Sequence, residues 1–135
     1  MTGILIVSHH RLAESVKETA ELVVGKKENV AALALMKEDK AEDFSRRIKE
    51  AAEKLDTGDG VLILADMFGG TPCNVSLMLF GNNENIGIIA GFNLPLVLEA
   101  MLYSREDGLK KLTEKLMAKK DTSIIDVKAV YNSRR

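Results

Sequence analysis

VLILADMFGGTPCN, residues 61–74, contains the clearest structural signal in this chain. Residues 61–65 form a continuous apolar run, which is typical of a β-strand buried on both faces. Gly69 and Gly70 then indicate a turn. Thr71-Pro72 predicts a helix start with Thr71 as the N-cap and Pro72 at the first helical position, where proline is tolerated. A buried strand followed by a helix is the repeating unit of parallel α/β sheets.

The rest of the chain repeats this unit on both sides of that stretch. Leu12, Val16 and Ala20 recur at helical spacing, and Phe44 and Ile48 do so further along, which predicts two amphipathic helices. Further helices are predicted after Pro95 and around Leu109, Leu112 and Leu116. The four runs that predict buried strands are residues 4–7, 30–35, 61–65 and 86–90.

The predicted fold is an open doubly wound α/β domain with a mostly parallel sheet in the order 2-1-3-4 and helices on both faces. In residues 125–131, Ile125, Val127, Ala129 and Tyr131 alternate with Asp126, Lys128 and Val130, which predicts a half-exposed strand at one edge of the sheet. A chain of 135 residues supplies one core. We therefore predict a single domain over residues 1–135.

Composition and charge exclude several classes of protein. The 19 basic and 20 acidic side chains give a formal net charge of -1, which argues against a general nucleic-acid binder. No apolar run approaches the roughly 18 residues of a membrane span. The lone cysteine, Cys73, excludes an internal disulfide or a cysteine-rich zinc site and fits a reducing compartment, so we predict a cytoplasmic protein.

The chemistry is expected at the carboxyl ends of the strands, where open α/β sheets bind ligands. His9 and His10 follow the first predicted strand, and Asp66 follows the third. In the order 2-1-3-4 these strands are neighbours, so a histidine, a carboxylate and the helix start at Thr71 should converge there.

Such a convergence suits the transfer of a phosphoryl group to a histidine. Asp66 would hold one ring nitrogen, leave the other as the nucleophile and stabilise positive charge on the ring. Helix N–H groups and the Thr71 hydroxyl would bind phosphoryl oxygens, and Gly69 and Gly70 would allow close approach. Two other interpretations stay open: Asp66 and the glycines as plain turn residues, and a divalent-metal site of both histidines with Asp66.

With these residues placed, the chain resembles the mannose-family enzyme IIA domain of the bacterial phosphoenolpyruvate-dependent sugar phosphotransferase system. The resemblance covers essentially the whole chain. It implies that His9 carries a phosphoryl group, that Asp66 orients this histidine, and that Gly70 and Thr71 help to hold the phosphate. The family usually has glycine where this chain has His10; the register of the motifs favours His9 over His10 as the acceptor. The motifs that carry the resemblance are residues 3–9, 19–21, 66–74 and 90–95.

The resemblance also implies partners. The histidine phosphocarrier protein HPr would donate the phosphoryl group, and a IIB component on a separate polypeptide would accept it, with membrane IIC and IID components acting further along. Transfer between histidine nitrogens implies no cofactor and no metal. Family members exchange an antiparallel C-terminal strand, so we predict a homodimer. The sugar stays open among mannose, fructose, sorbose and amino sugars.

Other classes of protein are alternatives to this interpretation. The phosphotransfer subunit of a dihydroxyacetone kinase shares the fold and the histidine, although residues 68–72 favour the sugar system. A receiver-like signalling domain would need an acidic pair after the first strand, where this chain has Ser8, His9 and His10. A flavodoxin-like binding module would need a phosphate-cradling run of Ser, Thr and Gly in that loop.

Overall fold

The computed structural model describes residues 1–134 and contains one four-stranded sheet flanked by helices. All strand pairs are parallel and the order is 2-1-3-4, which confirms the predicted topology. The strands are β1 (Gly3–His9), β2 (Val30–Leu35), β3 (Val61–Ala65) and β4 (Ile86–Ala90). The helices are α1 (Leu12–Val24), α2 (Ala41–Leu55), α3 (Thr71–Phe80), α4 (Leu94–Tyr103), α5 (Leu109–Ala118) and α6 (Val127–Ser133), with a 3-10 turn over Lys120–Thr122.

The core lies on both faces of the sheet. Ile4 and Leu62 pack on one face with residues of α1, α4 and α5, whereas Leu5 and Ile63 pack on the other face with α2 and α3. The central strands β1 and β3 are therefore covered on both sides, which explains their continuous apolar sequence.

The register of the central strands positions the site. Val7 of β1 pairs with Ala65 of β3, so the residues that leave these two strands emerge side by side at the same edge of the sheet. His9 follows Val7 by two residues and Asp66 directly follows Ala65. Parallel pairing thus brings together two side chains that lie 57 positions apart in the sequence.

Polar contacts stabilise the opposite end of the sheet, where β1 begins. The Thr2 hydroxyl donates a hydrogen bond to the Asp107 carbonyl oxygen (2.8 Å). The Asp107 carboxylate is buried and contacts the ammonium groups of Lys115 (2.8 Å) and Lys111 (3.4 Å). The hydrogen bond from Lys115 lowers the pKa of Asp107 below its ordinary value, with burial opposing the shift and Lys111 adding to it.

The predicted C-terminal strand is wrong for this chain on its own. Val127–Ser133 forms helix α6, and the Asp126 side chain caps it by accepting the N–H of Ala129 (3.1 Å). A strand needs a neighbouring edge for its backbone hydrogen bonds, whereas a helix satisfies them internally. The described sheet pairs no strand with this segment, so the alternating pattern corresponds to exposed apolar side chains such as Ile125. Antiparallel exchange of this segment between two copies stays a prediction.

Candidate active site

A histidine and an aspartate meet at the carboxyl edge of the sheet. The His9 Nδ1 atom lies 2.8 Å from Asp66 Oδ2, and the same oxygen accepts the backbone N–H of His9 (2.9 Å). The other oxygen, Oδ1, accepts the N–H of Met67 (2.9 Å). An ionised carboxylate only accepts hydrogen bonds, so Nδ1 carries a proton in this contact, and in a neutral ring the lone pair is then on Nε2. The side chain of His9 is 45% exposed, so it is accessible from outside the protein.

Gly70 lies directly against the free side of the His9 ring. A Cβ atom at Gly70 would lie 2.6 Å from His9 Cε1 and 3.3 Å from Nε2, so only glycine leaves the ring its present position. Gly70 is also the N-cap of α3, which places Thr71 as the first helical residue and not as the predicted cap. No side chain caps α3 within residues 1–134, so N–H groups of its first turn remain available to an anion.

Sequence reasoning missed Ser8, although a lone polar residue in an apolar strand is a detectable signal. Ser8 is fully buried. Its Oγ accepts the N–H of Ala13 (2.7 Å) and donates to the carbonyl oxygen of His10 (3.0 Å). The N–H of His10 donates to the Leu35 carbonyl oxygen (2.8 Å). These three hydrogen bonds stabilise the turn between β1 and α1, directly after His9.

The His9 ring borders an open groove between the end of β2 and the start of α3. His10, Lys37, Asp39 and Thr71 share this groove with His9. Asp39 accepts the N–H of Met36 (2.8 Å) and lies 3.6 Å from the Arg47 guanidinium, so its charge is already engaged.

Apolar side chains project beside this site. Met67 is 54% exposed and Phe68 is 87% exposed, although both are large hydrophobic residues. Leu12, at the start of α1, is also half exposed. Exposed apolar side chains grouped beside polar ones are typical of protein contact surfaces.

The loop after β4 has a structural role. Asn93 accepts the N–H of Leu96 (3.0 Å) as the cap of α4 and donates to the Ser123 hydroxyl (3.0 Å). Phe92 packs against the core.

Within residues 1–134, no three His, Cys, Asp or Glu side chains are grouped so that they could hold a metal ion. No helix in the same range has the length and apolar character needed to cross a bilayer.

The fold and site define an α/β domain with a histidine–aspartate pair where the order of the parallel strands reverses. Residues 3–117 match the EIIA-man family, described as the PTS system fructose IIA component, and the chain belongs to this family. PTS stands for the phosphotransferase system. The family match therefore confirms the resemblance inferred from the motifs.

Individual relatives agree with this membership. The chain is 34% identical over 105 residues to the PTS system mannose-specific EIIAB component of Escherichia coli strain K12, which covers 78% of the chain and 32% of that protein. It is 27% identical over 118 residues to the PTS system fructose-specific EIIA component of Bacillus subtilis, which covers 87% and 81%. The chain therefore spans about a third of the EIIAB protein and most of the EIIA protein.

A solved structure extends the similarity to three dimensions. The PTS IIA protein associated with the fucose utilization operon of Streptococcus pneumoniae superposes with a TM-score of 0.86 and is 32% identical, over 96% of each chain. The chain thus belongs to the family of IIA components and has the α/β fold of its solved members.

Proposed function

We propose that this chain is a cytoplasmic phosphocarrier that accepts a phosphoryl group from HPr on His9 and passes it to a IIB component. The observation that carries this proposal is the 2.8 Å contact between His9 Nδ1 and Asp66, which leaves Nε2 on the other side of a ring whose Cε1 edge lies against Gly70. A nucleophile oriented from behind by a carboxylate suits covalent transfer.

In the proposed reaction the Nε2 lone pair of His9 attacks the phosphorus atom of phospho-HPr. The nitrogen–phosphorus bond of the donor breaks, and its electron pair returns to the donor imidazole. Positive charge that develops on the His9 ring is stabilised by Asp66, while the first-turn N–H groups of α3 and the Thr71 hydroxyl hold the phosphoryl oxygens. Transfer to IIB repeats these steps with His9 as donor, so positioning and charge stabilisation supply the catalysis.

The surface beside His9 supports protein partners over a small-molecule substrate. The groove is open, and exposed Met67 and Phe68 offer apolar contact area next to the nucleophile. HPr and IIB would each cover this area in turn, because one histidine serves both steps. Membrane IIC and IID components would act only through IIB.

A homodimer that exchanges the C-terminal segment is part of this proposal. The outer edge of β4 has no strand partner within residues 1–134, and Ile86 and Ile88 on it are only half buried. Ile124 and Ile125 are largely exposed, and α6 buries no residue, so little packing opposes its unwinding. The segment from a second copy would pair with this edge.

The dimer is tested by light scattering of the wild type and two matched variants. Ile125→Glu should shift the mass towards the monomer, whereas Leu22→Glu should not, because Leu22 is an exposed apolar residue on α1 (87%, against 57% for Ile125) that lies outside the exchanged segment. A wild-type mass that stays monomeric at every concentration would contradict the dimer.

The phosphocarrier proposal is tested with radiolabelled phosphoenolpyruvate, enzyme I and HPr. The wild type should take an acid-labile label, His9→Ala should take none, and Lys26→Ala, at the far end of α1, should match the wild type. Purified IIB and the dihydroxyacetone kinase are then offered as acceptors in separate reactions. Delivery to IIB alone supports the proposal, and delivery to the kinase alone refutes it.

A further inference from the structure

His10, the residue after the proposed nucleophile, has an unusual backbone. It is the only non-glycine residue with a positive φ (53°) within residues 1–134. Residues with a Cβ rarely adopt this left-handed region because of steric crowding, and the conformation persists only where the surroundings impose it. A histidine in such a position, next to a reactive histidine, suggests a use for its side chain.

Two hydrogen bonds impose this conformation. The buried Ser8 hydroxyl donates to the His10 carbonyl oxygen (3.0 Å), and the His10 N–H donates to the Leu35 carbonyl oxygen (2.8 Å). The peptide groups on both sides of the His10 Cα are therefore fixed by groups in the body of the fold. The direction in which the His10 side chain leaves the backbone is set by the same bonds.

That direction places His10 on the groove beside His9. The groove is also bordered by Lys37, Asp39 and Thr71, and Asp39 is engaged by Arg47 and by the Met36 N–H. Apart from this paired carboxylate, the groove is bordered by the Lys37 ammonium, the Thr71 hydroxyl and the His10 imidazole, each of which can donate a hydrogen bond. Asp66 lies behind the His9 ring, on its Nδ1 side.

We propose that His10 is a second phosphate-binding imidazole, which donates an N–H to the phosphoryl group carried on Nε2 of His9. This inference rests on the proposed function. Neutral and protonated imidazoles both carry at least one N–H donor, and a phosphoryl oxygen is a strong charged acceptor. No bond forms or breaks at His10; its contact stabilises the phosphorylated form over the free form.

The test is the equilibrium of phosphoryl exchange with HPr, measured from the labelled fraction of each protein. His10→Gly removes the donor and relieves the backbone, whereas His10→Lys retains an N–H donor at this position on the same unfavourable backbone. A phosphate-binding side chain predicts that glycine lowers the equilibrium constant about three- to tenfold and that lysine keeps it within about twofold of wild type. Lys26→Ala is the control for loss of an exposed N–H donor outside the groove.

A purely structural role would give the opposite order, since glycine suits the turn and lysine does not. Equal constants for wild type and His10→Gly would overturn the inference while the phosphocarrier function stands. An acid-labile label on His9→Ala would make His10 an acceptor, which also overturns it. A wild type that takes no label overturns the proposed function and this inference together. Urea unfolding of each variant verifies the fold, and if His10→Lys does not fold, His10→Gly alone decides.

Discussion

Gly70→Ala should disable the site while leaving the fold intact. The new methyl carbon would lie 2.6 Å from His9 Cε1 and 3.3 Å from Nε2, whereas ordinary van der Waals contact begins at 3.4 Å. The ring must therefore retreat by about 0.8 Å (3.4 minus 2.6). That movement changes the position of the ring relative to Asp66, so the 2.8 Å contact between Nδ1 and the carboxylate is distorted. The methyl group also occupies space on the side where the phosphoryl group would bind.

The expected magnitude follows from this displacement. Misplacing a reacting group by about 1 Å costs roughly 100-fold in rate, so phosphoryl transfer from HPr should fall by about that factor. The backbone of Gly70 has φ near -80°, which alanine adopts without strain. The free energy of unfolding should therefore change by less than about 1 kcal/mol.

Rapid-quench transfer from phospho-HPr measures the rate, and urea unfolding measures the stability. Gly108→Ala is the matched control, because Gly108 also caps a helix at negative φ and a Cβ there would meet nothing within 4 Å. Its transfer rate should equal that of wild type. A Gly70→Ala protein that transfers at the wild-type rate would refute the close approach of Gly70 to the reactive ring.

Three further substitutions test other contacts. Asp66→Asn should slow transfer at least about 100-fold by weakening support of the His9 ring, with an unchanged circular dichroism spectrum; an unchanged rate would contradict this. Ser8→Ala leaves the buried N–H of Ala13 and the partly buried carbonyl oxygen of His10 without this partner and should cost about 1–3 kcal/mol in urea unfolding, more than Ser76→Ala, which loses one bond to a carbonyl oxygen. Asp107→Asn should destabilise the protein at neutral pH. Because Lys115 lowers the pKa of Asp107, this stabilisation exists above the unfolded-state pKa and is lost as the pH falls below about 4, so the two proteins should converge in acid; a constant difference would contradict this.

The fold was largely predictable because its signals are local. The apolar runs of β1 and β3 predict strands covered on both faces, and the intervening amphipathic patterns predict the helices that cover them. Residues 125–131 were mispredicted because alternation describes side-chain exposure and not the presence of a pairing edge. Helix α6 forms where no neighbouring strand is available within the described chain.

The site was predictable as a set of residues but not as a geometry. The positions of the strand ends and the predicted strand order place His9, Asp66 and Thr71 at the carboxyl ends of β1 and β3, and the structure has them there. The sequence did not indicate that Gly70 is in contact with the imidazole, nor that Ser8 holds the following turn. Both depend on distances between segments that are remote along the chain or folded sharply back.

By itself, the sequence of this IIA-family chain determined the order and type of its central elements, because periodicity and capping are properties of neighbouring residues. Only the tertiary structure decided which nitrogen of His9 contacts Asp66, that the imidazole lies against Gly70, and that His10 adopts a left-handed backbone. Those features arise from parallel pairing of β1 with β3 and from a few buried hydrogen bonds. Their geometry depends on the packed positions of several elements at once, which no local pattern contains.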